Sequence, residues 1–230
     1  MYPVKTYNCR CKVVAYFPNH SKDRGTGKSV QSYNKWLLQH EKAPTYMSNL
    51  ELKSMYGNIS SNKNDTSWVV RNANPNYDKS LAYQTNCQRC MDAVELRSRG
   101  YNVEAIGKLE TNNKVKWGSE IFVDDKDNDV YFEINKTKQD LLSELKSAPD
   151  KSRYGIYFQW IDDSGNVFGH VMNAQKIDGE IHFIDGQISE LDSSYELDVG
   201  IEGRFGYLRL DDKKIKNDRY LLMNAVKKGQ

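Results

Sequence analysis

Two β-prone runs, 166–177 and 180–184, are separated by the dipeptide Asp178-Gly179. An Asp-Gly pair between such runs is a strong hairpin signal. Both residues of the two-residue turn that matches strand twist need φ > 0, and Asp and Gly accept it. The turn fixes the register as well. Ile177 opposes Glu180, so Met172 lies opposite Asp185 and His170 opposite Gln187. Strand side chains alternate, which puts His170 and Asp185 on one face. They are diagonal neighbours, about 7–8 Å apart at the backbone, and their side chains can meet. His182 pairs with Gln175 and points to the opposite face. A register slip of one residue would undo this arrangement.

The second constraint is a helix. Asn86 suits the cap of a helix that begins at Cys87. Cys87, Cys90, Met91, Ala93 and Val94 then form an apolar face at spacings of three and four. Arg97 and Arg99 fall in the last turn, where they complement the dipole. Gly100 suits the left-handed residue past the end. A thiolate in the first helical turn lies near unpaired N–H groups, which favour the nucleophilic form. Cys87 occupies that position, and Cys90, one turn deeper, reads as a small buried residue. The nucleophile needs a base. Of the four histidines, His20 and His40 lie in a polar N-terminal region, while His170 and His182 lie in the hairpin. The face geometry selects His170, with Asp185 holding its tautomer.

Elsewhere the pattern predicts a strand over Tyr101–Ile106 and a helix over Lys138–Lys146, capped by Thr137 and closed by Pro149. It further predicts strands over Tyr154–Trp160 and Tyr207–Leu210 and a last helix over Asp218–Lys227. Residues 1–45 form one region. Residues 46–80 read as a linker, because 57–67 is almost entirely polar and Asn72-Ala-Asn-Pro75-Asn76 is turn chemistry. Residues 81–230 form the main domain, with its core motifs in 81–190.

The 230 residues carry 33 basic and 31 acidic side chains, a net charge of +2 that does not point to nucleic acid or an anionic membrane. No apolar run approaches the roughly 18 residues of a membrane span, and Met1–Arg10 lacks the apolar core of a signal peptide. Gly25-Thr-Gly27-Lys28-Ser29 looks like a phosphate loop, but Lys22 stands where its first glycine belongs, so it reads as a solvated loop. Four cysteines, Cys9, Cys11, Cys87 and Cys90, are too few for a disulfide framework. A zinc site using both pairs, or a dithiol at Cys87-Gln-Arg-Cys90, is an alternative use of them. The preferred reading needs no metal and no cofactor.

A helix-borne thiolate followed by a His strand and an Asp strand is the chain order of papain-like folds. The segments Asn86-Cys87-Gln88-Arg89-Cys90, Glu95-Leu96-Arg97-Ser-Arg99-Gly100-Tyr101, Gly169-His170-Val171 and Phe183-Ile184-Asp185-Gly186-Gln187 closely resemble the papain-fold toxin domain family. That family occurs in bacterial polymorphic toxins and phage-head-associated proteins, and some relatives are glutamine deamidases. The resemblance spans about Leu81–Glu190 and implies an α+β, papain-like domain whose catalytic residues are Cys87, His170 and Asp185. The 83-residue interval from Cys87 to His170 is long, which places an insertion around Lys108–Asn135. A shorter segment, Tyr7-Asn8-Cys9-Arg10-Cys11, with Tyr33–His40, is similar to the closing motif of phage Mu F-like minor head proteins. It implies that residues 1–45 are the tail of such a protein, fused to an effector.

Three functions stay open on the sequence. One is a cysteine enzyme acting on protein amide groups, as a glutamine deamidase or a protease. The second is a non-catalytic capsid or interaction module, with phage capsid proteins as partners. The third is a zinc-binding module. The first has a protein substrate, with no nucleic acid and no membrane as partners. It belongs in a phage virion or the bacterial cytoplasm, with delivery into a target cell as a further route.

Overall fold

The computed structural model describes residues 46–108 and 118–230. The expectations for residues 1–45, including Cys9, Cys11, His20, His40 and the capsid-like segment, lie outside the described residues. Helix α1 (Asn49–Tyr56) starts in a capping box between Ser48 and Glu51. A 3-10 turn, Ser61–Asn64, leads to α2 (Thr66–Val70), capped by Asp65. After α3 (Leu81–Gln84) comes the twelve-residue α4 (Cys87–Ser98). Strands β1 (Val103–Ala105), β2 (Gly118–Val123), β3 (Asp129–Tyr131) and β4 (Glu133–Lys136) precede α5 (Lys138–Ser147). Strands β5 (Arg153–Ile161), β6 (Val167–Ile177), β7 (Glu180–Asp185) and β8 (Glu190–Leu191) follow. A 3-10 segment, Ser193–Val199, then leads to β9 (Phe205–Arg209), β10 (Lys214–Ile215), α6 (Arg219–Ala225) and β11 (Val226–Lys228).

Among the described residues the strands form three antiparallel sheets, so the architecture is mixed α and β. The largest has the order β4-β9-β5-β6-β7-β8. Its turn from β6 to β7 is the one the sequence predicts: Ile177 pairs with Glu180, and Asp178 and Gly179 have φ of 51° and 85°. Alternation along β5 divides the core. Tyr154, Ile156 and Phe158 pack with Leu141 and Leu145 of α5, while Tyr157 joins the cluster around Met91 and Val94 of α4. Gly155 lets α4 approach, since a β-carbon there would stand 2.4 Å from the Met91 sulfur. Buried Glu95 fixes the helix's position by bonding Arg153 of β5 at 2.8 and 3.0 Å and Arg99 at 2.7 Å. Its carboxyl lies below the ordinary range, because the two guanidinium charges outweigh the effect of burial.

Several expectations need correction. Residues 46–80 are not a linker. Leu52, Tyr56, Val69, Val70 and Ala73 lie in the same apolar cluster as α4, and the compact unit runs Thr45–Gln230. A few buried apolar residues, with buried Asn74 and Asn76, anchor this mostly polar stretch, which average composition conceals. Arg97 does fall in the last turn of α4, but it does more there than complement the dipole. It is buried, bonds the carbonyls of Trp68, Val69 and Val103, and lies over the Trp68 ring at 4.3 Å. It thus ties α2 to α4. The last helix is shorter than expected, because Val226 turns extended and pairs with Ala105. The 108–135 interval adds β2 and β3 to a separate small sheet, ordered β10-β2-β3. Among the described residues no helix is long and apolar enough to cross a membrane.

Candidate active site

Cys87 is the first residue of α4 and half-buried; Cys90 one turn on is buried. Asn86 holds the cap position, but its side chain caps nothing. It is turned inward instead. Its amide nitrogen donates to Asn74 Oδ1 at 3.2 Å and to the Ile106 carbonyl at 3.0 Å. Its Oδ1 accepts from Cys90 Sγ at 3.2 Å and from the amides of Asn74 and Gln187 at 3.4 Å each. Asn74 also donates to the carbonyls of Tyr83, at 2.9 Å, and Gln187, at 3.0 Å. Buried amides need such partners, and these fix the start of the cysteine helix against the end of β7. Burial pushes the Cys90 thiol well up, consistent with a packing role.

His170 sits on β6 opposite Phe158 of β5, with the two rings edge to face at 5.7 Å. Its Nε2 lies 2.9 Å from Asp185 Oδ2 at the end of β7. The second Asp185 oxygen accepts from the Gln187 backbone N–H at 2.7 Å, so the carboxylate is held from both sides. The imidazole and Cys87 line the same cleft. With Nε2 occupied by Asp185, Nδ1 is the nitrogen left for the sulfur. Burial opposes charge on His170, but the hydrogen bond to Asp185 and the interactions with Asp185 and Cys87 beside it outweigh that and bring the group up to about 10. The imidazole therefore holds a proton at neutral pH. The structure brings together Cys87, His170 and Asp185. His182 stays apart, 3.6 Å from Asp192 on a partly exposed edge.

Asn86, Cys87, His170 and Gln187 line one cleft of about 600 Å³. Its lining includes an aromatic pair, Trp160 and Phe168, stacked at 5.5 Å. It also includes the polar Arg89, Asp92 and Glu120. Asp92 is buried and accepts from Ser119 Oγ at 2.8 Å. Burial pushes its carboxyl up to about 8, so it is a neutral acid at pH 7.

Sequence reasoning missed three contributors. Asn74 was hidden in apparent turn chemistry, and nothing local distinguishes it. Asp92 was placed on α4 by the helix pattern, and its position five residues past Cys87 was the available signal. Glu196, whose Oε2 lies 3.7 Å from His170 Nε2, comes from a tail that carries no motif. A four-cysteine zinc site needs Cys9 and Cys11, which lie outside the described residues, and the Cys90 sulfur is bonded inward to Asn86. No family model matches the chain, and no curated protein matches it.

Proposed function

We propose that Cys87, His170 and Asp185 are the catalytic triad of a papain-like cysteine hydrolase that acts on protein amide groups, with glutamine side-chain deamidation as its reaction. One observation carries the reading: a single buried imidazole is hydrogen-bonded to Asp185 through Nε2 and shares the wall of an open cleft with Cys87. An imidazolium against a cysteine sulfur is the arrangement that supplies a nucleophilic thiolate.

In this reading the Cys87 sulfur attacks the carboxamide carbon and forms a C–S bond. The carbonyl oxygen takes up negative charge near the N-terminal end of α4, where backbone N–H groups and the helix dipole favour it. As the C–N bond breaks, His170 gives its proton to the departing nitrogen, and ammonia leaves. Water then attacks the thioester. His170 takes the water proton, the C–S bond breaks, and glutamate and the free thiol result. A peptide bond passing through the same steps would give cleavage instead. The choice of a side-chain amide, and the role as an effector linked to a phage head protein, rest on the family resemblance of the matched motifs.

The test is to incubate wild type and Cys87→Ala with a broad protein panel and follow ammonia release and new chain termini. Gln-to-Glu conversion that requires Cys87 is the expected result. New termini without conversion would make this a protease, and neither product would favour a non-catalytic module.

A further inference from the structure

We propose that Glu196 is a positioning residue of this site, a carboxylic acid that donates its proton to Asp185 and so keeps the Asp185 carboxylate seated on His170 Nε2. The proposal rests on the triad reading above.

Glu196 belongs to the 3-10 segment after β8, and the fold brings it back over the end of β7. Its Oε2 lies 3.7 Å from His170 Nε2, to which Asp185 Oδ2 is already bonded at 2.9 Å. One polar atom from each of the three groups falls within 4.8 Å of the other two, so the Glu196 and Asp185 carboxyls face each other across the imidazole nitrogen. Two carboxyls this close in a buried place hold a proton between them more readily than two adjacent negative charges, which repel strongly. Glu196 Oε1 adds an independent sign: it is buried and has no hydrogen-bond partner. An orphaned oxygen costs a buried anion far more than a neutral acid.

The groups around Glu196 agree with this. Asp185 faces it from β7, His170 from β6 and Glu190 from β8. Its sequence neighbour Tyr195 is bonded to Glu190 at 3.0 Å. Of these only His170 carries positive charge, and Asp185 already engages it. Burial and the Asp185 charge together push the Glu196 carboxyl up to about 7. Below that pH the proton lies between the two carboxyls. Above it a second negative charge faces His170 and strengthens the imidazolium, and with it the reactive Cys87–His170 pair.

The experiment needs no substrate. Iodoacetamide labelling of Cys87 is followed by mass spectrometry across pH 7 in wild type, Glu196→Gln and Glu196→Ala, with melting temperatures recorded. Wild type is expected to label faster than a free thiol such as glutathione and to show a rate step near the Glu196 titration. Glu196→Gln keeps a donor for Asp185 but cannot ionise. It is expected to retain the wild-type rate on the acid side and to lose the step. Glu196→Ala loses the donor and is expected to label several-fold more slowly at every pH. A purely structural side chain would lower the melting temperature and leave the step in place. A step that survives in Glu196→Gln, with Cys87 still fast, would overturn this proposal alone. Wild-type Cys87 labelling no faster than glutathione would overturn the triad reading and this proposal with it. If Glu196→Ala does not fold, Glu196→Gln decides by itself.

Discussion

Gly186 lies so close to Val94 of α4 that a β-carbon at this glycine would stand 2.5 Å from the valine side chain and 3.3 Å from the Cys90 carbonyl. The contact brings the end of β7, with Asp185, down onto the helix that carries Cys87. Gly186→Ala must push the two apart. We expect a loss of about 1–3 kcal/mol, the usual cost of overpacking a tight contact. We also expect a slower Cys87 labelling rate. Chemical denaturation and the labelling assay read the two effects, and an unchanged labelling rate would detach the Gly186 contact from site geometry.

The two cysteines of α4 should respond differently. Cys87→Ala is expected to abolish turnover with little change in melting temperature, because Cys87 is only partly buried, in the wall of the cleft. Cys90→Ala removes a buried sulfur and its bond to Asn86, so it should cost on the order of 1 kcal/mol or more and spare the chemistry. Loss of turnover in Cys90→Ala alone would reverse the assignment.

His170 links the site to pH. Its native pKa, raised from 6.5 to about 10, lies above its unfolded value. The native state therefore keeps a proton that the unfolded state releases. The resulting stability is full below pH 6.5 and declines as pH rises toward about 10. The slope from one such proton reaches at most about 1.4 kcal/mol per pH unit. Asp185→Asn removes the main acceptor and should flatten this alkaline decline. Urea midpoints at acid, neutral and alkaline pH measure it, and parallel curves for the two proteins would remove Asp185 as the cause.

The polar stretch 57–78 should resist limited proteolysis. Val69, Val70 and Ala73 are buried, and Arg97 is bonded to three backbone carbonyls, two of them in α2. Asn74→Ala removes two of the hydrogen bonds made by the Asn86 side chain and the side-chain donor to the Gln187 carbonyl. That should cost about 1–3 kcal/mol and make the stretch cleavable at lower protease concentration. Rapid cutting of wild type there would contradict the docked arrangement.

The same stretch marks where sequence patterns stop being informative. Asp178-Gly179 fixed a register that carried His170 and Asp185 to one face, because a two-residue turn allows only one pairing. The start of α4 at Cys87 was equally legible from local chemistry. The inward role of Asn86 was not. An asparagine at a helix start usually caps it, and only the partners brought by Asn74, Ile106 and Gln187 turn it inward. Arg97 and Glu196 were hidden for the same reason. Each is defined by residues far away in the chain, and a charged side chain gives no local sign that it will be buried.

The pairing of β1 with β11 bears on how the protein is made. Val103–Ala105 directly follow α4, yet their partners are Val226–Lys228. The central strand β5 likewise needs β9, which ends at Arg209. A ribosome adds roughly 5–20 residues each second, so Cys87 leaves the tunnel many seconds before the strands that complete its surroundings. The nascent chain carries a bare thiol with no imidazole beside it. On the proposed triad, any catalytic power would therefore arrive late in translation, and a fragment released before β9 and β11 should be inert in the cell that makes it.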